Sequence, residues 1–260
     1  MTRIKICGIR SNGHALAAVE AGADFIGLVF APSKRRVTPV EGREIASVVR
    51  QYRETLNAAP VEVIETEKLS KAFDLCATNP QVVGVFVNSA PSEVNRIADF
   101  CALDWVQLSG DESWGYCCEI VRPVIKAIRI GGQSPGNIYA ELSAGEKSLG
   151  SERFMALLDS QVEGSYGGTG KTFDWNLAKQ VARKFPVIIA GGLDPENVSL
   201  AIKAVSPWGV DVSSGVETGG VKNVARMTSF IEAVREADAS KVITHKAKQS
   251  IIESKVRQVK

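Results

Sequence analysis

The sequence predicts an α/β fold, an eight-stranded parallel (β/α)8 barrel of the TIM type. Eight short apolar runs follow one another, and each is continuous rather than alternating, which is typical of strands buried on both faces. Segments with helical spacing separate most runs, which indicates right-handed crossovers and a parallel sheet. The 260 residues match the roughly 250 that such a barrel occupies. Eight strands favour a closed barrel over an open doubly wound sheet.

The predicted strands are rich in Val, Ile and Phe, and most end in a polar or glycine-rich turn. They cover Ile4–Cys7, Phe25–Phe30, Val82–Val87, Trp105–Leu108, Val124–Ile128, Phe154–Asp159, Val187–Ala190 and Val210–Ser213. Helical spacing follows six of them, and Pro39 stands where a proline suits the first position of a helix. The predicted helices cover Ala15–Ala21, Val40–Tyr52, Ser92–Cys101, Asn176–Lys184, Glu196–Val205 and Val224–Ala237.

Two segments exceed what a minimal barrel needs. We predict one barrel domain over residues 1–237, with an insertion at about 52–81, and a basic C-terminal extension over 238–260. The insertion contains a further predicted helix, Glu67–Ala77, which stops near Asn79-Pro80. The extension carries six Lys or Arg and two acids. Its composition favours a solvated tail over an amphipathic helix that docks on the barrel or on a partner.

The composition narrows the class of protein. A net charge of +2 makes no general case for nucleic-acid binding. No apolar stretch approaches the roughly 18 residues of a membrane span, and a strand-like run begins directly after the N-terminus, where a signal peptide would stand. The five cysteines are odd in number and lack metal-ligand spacing, so we expect a reduced, cytoplasmic chain. A monomer or a homodimer is expected.

Three residues at strand ends are candidates for chemistry. Cys7 ends the first run and Asp159 the sixth, and barrels of this type keep their catalytic groups at such ends. A lone buried cysteine is more often an apolar filler, but a carboxylate directly after an apolar run rarely lacks a partner. Asp211, within the eighth run, is equally out of place, with a salt bridge or a turn bond as the alternative. To act as a base, the thiol needs a pKa lowered by a cation or a dipole.

Glycine-rich turns follow the seventh and eighth runs, at Ala190-Gly191-Gly192-Leu193 and Ser213-Ser214-Gly215. Barrels commonly bind phosphate with these two loops through backbone N–H groups, although each turn alone could be a tight connection. A third glycine cluster, Gly167–Thr172, resembles a P-loop. That motif requires glycine at position 165, where Ser165 stands, so a flexible, anion-friendly loop is favoured over a nucleotide triphosphatase.

Arg35 lies in a basic cluster after the second run, Ser33-Lys34-Arg35-Arg36. Such a cluster is most often a solvated loop, but at a barrel mouth a guanidinium could bind a carboxylate or a phosphate in bidentate geometry. His14 and His245 are the only histidines, and neither lies in a strand-end motif. Metal ligation is therefore not expected.

Taken in order, these motifs resemble those of the phosphoribosylanthranilate isomerase family. The resemblance spans roughly residues 3–235, apart from the insertion and a weakly matching stretch at 131–153. The matching stretches are Lys5-Ile6-Cys7-Gly8-Ile9, Gly22–Gly27, Ser33–Arg36, Gly84–Asn88, Val106-Gln107-Leu108 with Gly110-Asp111-Glu112, Leu158-Asp159, Gly167–Trp175, Ala190–Leu193 and Asp211–Glu217. Nine ordered motifs are far more specific than any one of them.

The resemblance implies an Amadori rearrangement of a phosphosugar substrate, N-(5-phosphoribosyl)anthranilate, in tryptophan biosynthesis. It implies that Asp159 is the general acid, that Cys7 is the general base and that Arg35 contacts the anthranilate carboxylate. It also places Asp211 in the substrate site, and it implies neither a metal nor an organic cofactor. The loops expected to hold the phosphate contribute Gly191, Gly192, Ser214 and Gly215.

One departure from the family pattern lies at Ser109, where the family usually has His. It makes one contact at the barrel mouth uncertain. The nearest alternative is the sister isomerase of histidine biosynthesis or its dual-substrate relative, which have Asp on the first strand where this chain has Cys7. The other alternative is a catalytically inactive phosphosugar-binding barrel, which Ser109 and the extra segments would favour.

Overall fold

The computed structural model describes residues 1–57, 79–130, 133–160 and 175–240. Eight parallel strands pair in chain order, and the first also pairs with the eighth, so the predicted closed barrel is confirmed. Each predicted strand matches an observed one to within two residues at either end. The strands are β1 Arg3–Cys7, β2 Phe25–Val29, β3 Gln81–Phe86, β4 Trp105–Leu108, β5 Val124–Ile130, β6 Phe154–Ser160, β7 Val187–Ile189 and β8 Gly209–Val212.

Helices cover the outside of the barrel. They are α1 Asn12–Glu20, α2 Pro39–Asn57, α3 Pro91–Cys101, α4 Trp114–Cys118, α5 Pro135–Leu149, α6 Trp175–Ala182, α7 Val198–Val205 and α8 at 224–240. The six predicted helices are confirmed, and α2 continues to Asn57. The predicted helix Glu67–Ala77, the loop Gly167–Thr172 and residues 241–260 of the extension lie outside the described residues. In the part that is described, no helix is long and apolar enough to cross a membrane.

Helices α4 and α5 are absent from the sequence prediction for physical reasons. Helix α4 is only five residues long, and the Ser113 side chain caps it by accepting a hydrogen bond from Tyr116 N. Helix α5 contains Gly145, which lowers helix preference. A Cβ at Gly145 would lie 2.4 Å from the ring of Trp114, so this glycine lets α4 pack closely on α5.

Side chains alternate between the barrel interior and the face that meets the helices. Outward residues such as Ile4 and Ile26 pack against the helices in one large apolar cluster. Inward residues form a second cluster, which fills the barrel as a packed core rather than a pore. Its buried members are Phe25, Val83, Trp105, Ile125, Met155, Leu157, Ile188 and Ala190.

One buried ion pair lies on the outward side, between β5 and the loop after β4. Lys126 Nζ donates to Glu112 Oε2 at 2.9 Å and to Gly110 O at 2.8 Å. Glu112 also accepts hydrogen bonds from Asn88 N at 2.8 Å and Gly110 N at 3.0 Å. The carboxylate therefore joins the loops that follow β3 and β4 and fixes one side of the barrel mouth.

Candidate active site

A cavity of about 340 Å³ opens at the C-terminal ends of the strands. Six of the eight predicted site residues line it: Arg35, Asp159, Gly191, Gly192, Asp211 and Ser214. Cys7 and Gly215 are not among its lining residues. The side chains that the sequence reasoning assigned to one mouth are thus brought together largely as expected, and the two exceptions have distinct local environments.

Cys7 lies just beneath the cavity, at the end of β1, with 7% of its surface exposed. It packs in a small apolar cluster with Val29, Ala31 and Val85, all of which line the cavity. Its strand neighbour in register is Gly27 of β2. The thiol therefore lies directly behind side chains that form the cavity wall.

The Cys7 thiol is flanked by charge that the sequence reasoning missed. Lys5, two residues earlier on the same face of β1, is buried and donates to Asp211 Oδ1 at 2.7 Å. Burial raises the pKa of the Cys7 thiol, the Lys5 ammonium lowers it, and the net direction is upward. The lowered thiol pKa that a general base requires is therefore not present in this structure, because desolvation outweighs the cations. The sequence does contain a signal for this role, because Lys5 is a charged residue between Ile4 and Ile6 in an otherwise apolar strand.

Asp159 lies on β6 beside Arg129 of β5, its partner in strand register, and both line the cavity. Asp159 is partly buried. Arg129 donates from Nη1 to Asp111 Oδ1 at 2.9 Å and from Nη2 to Ser109 O at 3.3 Å. A cation next to the candidate acid was not predicted, since its position follows from strand register rather than from any local motif.

Arg35 is held by a carboxylate on the far side of β1. Its Nε donates to Glu217 Oε1 at 2.6 Å, and its Nη2 donates to Glu217 Oε2 at 2.9 Å. Lys222 Nζ donates to the same Oε1 at 2.7 Å. Burial raises the pKa of Glu217, but hydrogen bonds from Arg35 and Lys222 lower it to about 2. Glu217 and Lys222 belong to a small antiparallel hairpin, β9 Glu217–Thr218 and β10 Val221–Lys222, which the sequence reasoning did not predict.

The Arg35 side chain packs so closely on the backbone of Gly8 that it leaves no room for a Cβ there. Gly8 has φ +80°, and a Cβ there would lie 2.5 Å from Arg35 Cδ. A side chain at this position would therefore displace the arginine from Glu217.

The two glycine turns after β7 and β8 meet at one side of the cavity. Gly191 and Gly192 have φ of +87° and +70°, which side chains with a Cβ rarely adopt. A Cβ at Gly215 would lie 1.9 Å from Leu193 O, so glycine is required for the two turns to pack. Among the described residues, the N–H groups of Gly191 and Gly192 donate to no protein acceptor. This geometry suits an anion such as a phosphate.

Ser109 and Gln107 occupy the opposite wall of the cavity. Gln107 Nε2 donates to Ser109 Oγ at 3.0 Å. Gln107 Oε1 is buried and has no hydrogen-bond partner among the described residues. The amide that contacts Ser109 thus carries a buried oxygen beside the cavity.

No group of three or more His, Cys, Asp and Glu residues that could hold a metal ion occurs across residues 1–57, 79–130, 133–160 and 175–240. The groups that surround the cavity are instead a thiol, carboxylates, guanidinium groups and backbone N–H donors. Such a set can transfer protons and bind anions.

Comparison with known proteins gives consistent results. A family model for N-(5′-phosphoribosyl)anthranilate (PRA) isomerase matches residues 55–233. The chain is 44% identical over 243 residues to N-(5′-phosphoribosyl)anthranilate isomerase of Dehalococcoides mccartyi, covering 93% of this chain and 100% of that protein. It is 43% identical to the isomerase of Roseiflexus sp., covering 91% and 99%.

Solved structures agree with the sequence relatives. Phosphoribosyl anthranilate isomerase from Thermotoga maritima superposes with a TM-score of 0.69 at 34% identity, over 91% of this chain and 100% of that one. A phosphoribosyl anthranilate isomerase in complex with reduced 1-(o-carboxyphenylamino)-1-deoxyribulose 5-phosphate superposes with a TM-score of 0.65 at 32% identity, with the same coverage.

Proposed function

The chain belongs to the N-(5′-phosphoribosyl)anthranilate isomerase family, and we propose that Cys7 and Asp159 perform its proton transfers. The protein is an isomerase of tryptophan biosynthesis. It converts N-(5-phosphoribosyl)anthranilate to 1-(2-carboxyphenylamino)-1-deoxyribulose 5-phosphate by an Amadori rearrangement. The observation that carries the residue assignment is the placement of two groups at strand ends: the Asp159 carboxyl at the end of β6 lines the cavity, and the Cys7 thiol at the end of β1 packs against side chains that line it.

In the first step, the Asp159 carboxyl donates its proton to the ring oxygen of the ribose. The bond between C1 and this oxygen breaks, and the nitrogen lone pair forms a C1=N double bond. The product is an open-chain iminium with a free hydroxyl at C4. Asp159 suits this role because its carboxyl lies at the wall of the cavity that holds the substrate.

In the second step, the Cys7 thiolate takes the proton from C2. The C–H electron pair forms a C1=C2 double bond, and the electrons of the C=N bond return to nitrogen, which gives an enolamine. Tautomerisation then moves a proton from the C2 hydroxyl to C1 and yields the ketone. A proton passing from the Cys7 thiol to the Asp159 carboxylate through solvent restores the starting states, so the reaction is balanced.

Binding of the substrate uses the rest of the cavity. Arg35 donates to the anthranilate carboxylate; in the described part of the chain its Nη1 donates to no other residue, while Glu217 occupies its other edge. The N–H groups around Gly191, Gly192 and Ser214 bind the phosphate, and Gly215 shapes their turn. Asp211 accepts a hydrogen bond from the sugar at the cavity wall.

Further proposals concern the whole chain. Residues 1–237 form the catalytic domain, with an insertion at about 52–81 and a basic extension at 238–260. Four described cysteines are free thiols, Cys7, Cys101, Cys117 and Cys118, which fits a reducing, cytoplasmic compartment. We expect a monomer or a homodimer that binds neither nucleic acid nor membranes.

The test follows the loss of anthranilate fluorescence from freshly prepared phosphoribosylanthranilate. Cys7→Ala and Asp159→Asn should each lower kcat/KM by about 10²–10⁴-fold, the usual contribution of a positioned acid or base. Cys101→Ala is the matched control for loss of a buried thiol, and Asp99→Asn, at an exposed ion pair, is the control for loss of a carboxylate. Undiminished activity in Cys7→Ala or Asp159→Asn would refute the role of that residue.

A further inference from the structure

Lys5 is a fully buried lysine inside the barrel, and the mechanism above does not use it. Its side chain is 1% exposed, and its ammonium has a single oxygen partner among the described residues, Asp211 Oδ1 at 2.7 Å. In the described part of the chain, the other two buried lysines each have at least two oxygen partners. Lys126 donates to Gly110 O and Glu112, and Lys222 donates to Ser213 and Glu217. Because an ammonium has three donors, Lys5 retains capacity for another acceptor.

The Cys7 sulfur occupies the space beside that ammonium. Lys5 and Cys7 lie on the same face of β1, and Gly27 of β2 faces both. A Cβ at Gly27 would lie 2.9 Å from Cys7 Sγ and 3.2 Å from Lys5 Nζ. The sulfur and the ammonium therefore share the small volume above this glycine, and the missing side chain allows them to do so.

We propose that Lys5 is a positioning residue that stabilises the Cys7 thiolate, with Asp211 fixing the ammonium and Gly27 keeping the space beside it open. The proposal rests on the role of Cys7 in the proposed function. A buried thiolate needs a nearby positive charge, because burial alone disfavours the ionised form. Lys5 supplies this charge at a fixed place without itself gaining or losing a proton.

Charged groups from four elements face Cys7 and influence the balance between its thiol and thiolate forms. Lys5 on β1 and Lys222 on β10 favour the thiolate, whereas Asp211 on β8 disfavours it. Arg35, in the loop after β2, also interacts with the thiol. Burial is the largest influence and raises the thiol pKa, and Lys5 is the largest influence that lowers it. Removing the Lys5 charge should therefore raise the thiol pKa further.

The experiment measures the pH dependence of Cys7 alkylation by iodoacetamide without substrate, with the modified peptide quantified by mass spectrometry. Lys5→Met should move the midpoint to higher pH by about one unit, which is about a tenfold loss of thiolate at a given pH. Lys5→Arg, which keeps the charge, should move it less. Lys126→Met is the matched control, since it removes a buried paired lysine from the outward side of β5 and should leave the midpoint unchanged.

A double variant covers the case in which Lys5→Met does not fold because Asp211 is left unpaired. Lys5→Met/Asp211→Asn leaves a neutral pair, and its midpoint should still exceed that of the wild type, because Lys5 influences the thiol more than Asp211 does. An unchanged or lower midpoint in a folded variant would overturn the proposal. In kcat/KM profiles, the lost activity of Lys5→Met should return at high pH, whereas a purely structural defect would not recover. Activity remaining in Cys7→Ala would refute the proposed function without altering the alkylation result.

Discussion

The lower part of the barrel interior and the barrel mouth contain different types of residue. The lower part is filled by apolar side chains such as Phe25, Trp105 and Leu157, with the Phe25 and Trp105 rings in edge contact at 6.4 Å. At the mouth, the same alternate strand positions carry Cys7 and Asp159 instead. One strand can therefore contribute to both regions, because residues two apart face the same side of the sheet. On β6, Leu157 packs in the lower interior and Asp159 lies at the mouth.

This difference predicts that substitutions in the two regions affect different properties, stability in one and activity in the other. Apolar burial accounts for most of the favourable free energy of folding, and the lower interior contributes to it through apolar side chains such as Phe25 and Leu157. The mouth instead contains buried charges, each compensated by a partner such as Asp211 for Lys5 or Glu217 for Arg35. Replacing a mouth residue should change binding or rate more than folding, and replacing a lower residue should do the opposite.

The sharpest test uses two positions on β6. Leu157→Ala, at a residue only 1% exposed, should lower the free energy of unfolding by about 2–5 kcal/mol through lost packing and a residual cavity. Its kcat/KM per folded molecule should stay close to that of the wild type, whereas Asp159→Asn should show the reverse. Urea unfolding and steady-state kinetics measure both quantities. A large loss of kcat/KM in Leu157→Ala at unchanged stability would break the comparison.

A second test removes the carboxylate that holds Arg35. Glu217→Gln should raise KM about tenfold with little change in kcat, because Arg35 loses two charge-assisted hydrogen bonds that position it for binding. Glu93→Gln is the matched control, since Glu93 makes the same two-bond contact with Arg96 on the exposed surface. Equal kinetics in Glu217→Gln and the wild type would mean that Arg35 needs no such support.

The same substitution should change acid stability. The folded-state pKa of Glu217 is about 2, below its ordinary value of 4.5, so its stabilising contribution is complete above 4.5. It is lost as pH falls through this window toward 2, and it amounts to at most about 3 kcal/mol. Urea unfolding across that range should show a shallower pH dependence for Glu217→Gln. An identical pH dependence would show that the ion pair adds nothing to stability.

The smallest effect is expected at Ser109. Ser109→Ala removes the acceptor for Gln107 Nε2, and in the described part of the chain the Gln107 oxygen already lacks a partner. One hydrogen bond contributes about 1 kcal/mol, so KM should rise by no more than about fivefold. Steady-state kinetics with Ser109→Ala measures this directly. A loss comparable to that of Asp159→Asn would place Ser109 among the catalytic groups.

The strands could be predicted from sequence because each is buried on both faces and therefore reads as an unbroken apolar run. Cys7, Asp159 and Asp211 could be predicted because a parallel barrel gathers strand ends at one mouth. These inferences use local pattern and one topological rule, and the closed ring confirms the rule for this chain.

The missed features depend on contacts that no local pattern encodes. Glu217 reaches Arg35 only because a short hairpin follows β8, and Lys222 on the same hairpin donates to Glu217. The strands β2 and β8 lie on either side of β1 in the ring but are far apart in the chain. The direction of the Cys7 pKa shift depends on how completely the surrounding side chains exclude water. The sequence does not reveal that degree of exclusion until the chain is folded.

The closure of the barrel has a consequence for accuracy of assembly. Strand β1 is paired in register with both β2 and β8. In an open sheet, an edge strand can slip by one residue against a single neighbour, and such a slip would turn Lys5 and Cys7 outward and place Ile4 and Ile6 in the interior. In a ring, the slip would have to satisfy two neighbours at once. A slipped β1 would therefore lose its register with both β2 and β8. Closure of the barrel thus fixes the side of the sheet on which the Cys7 sulfur lies.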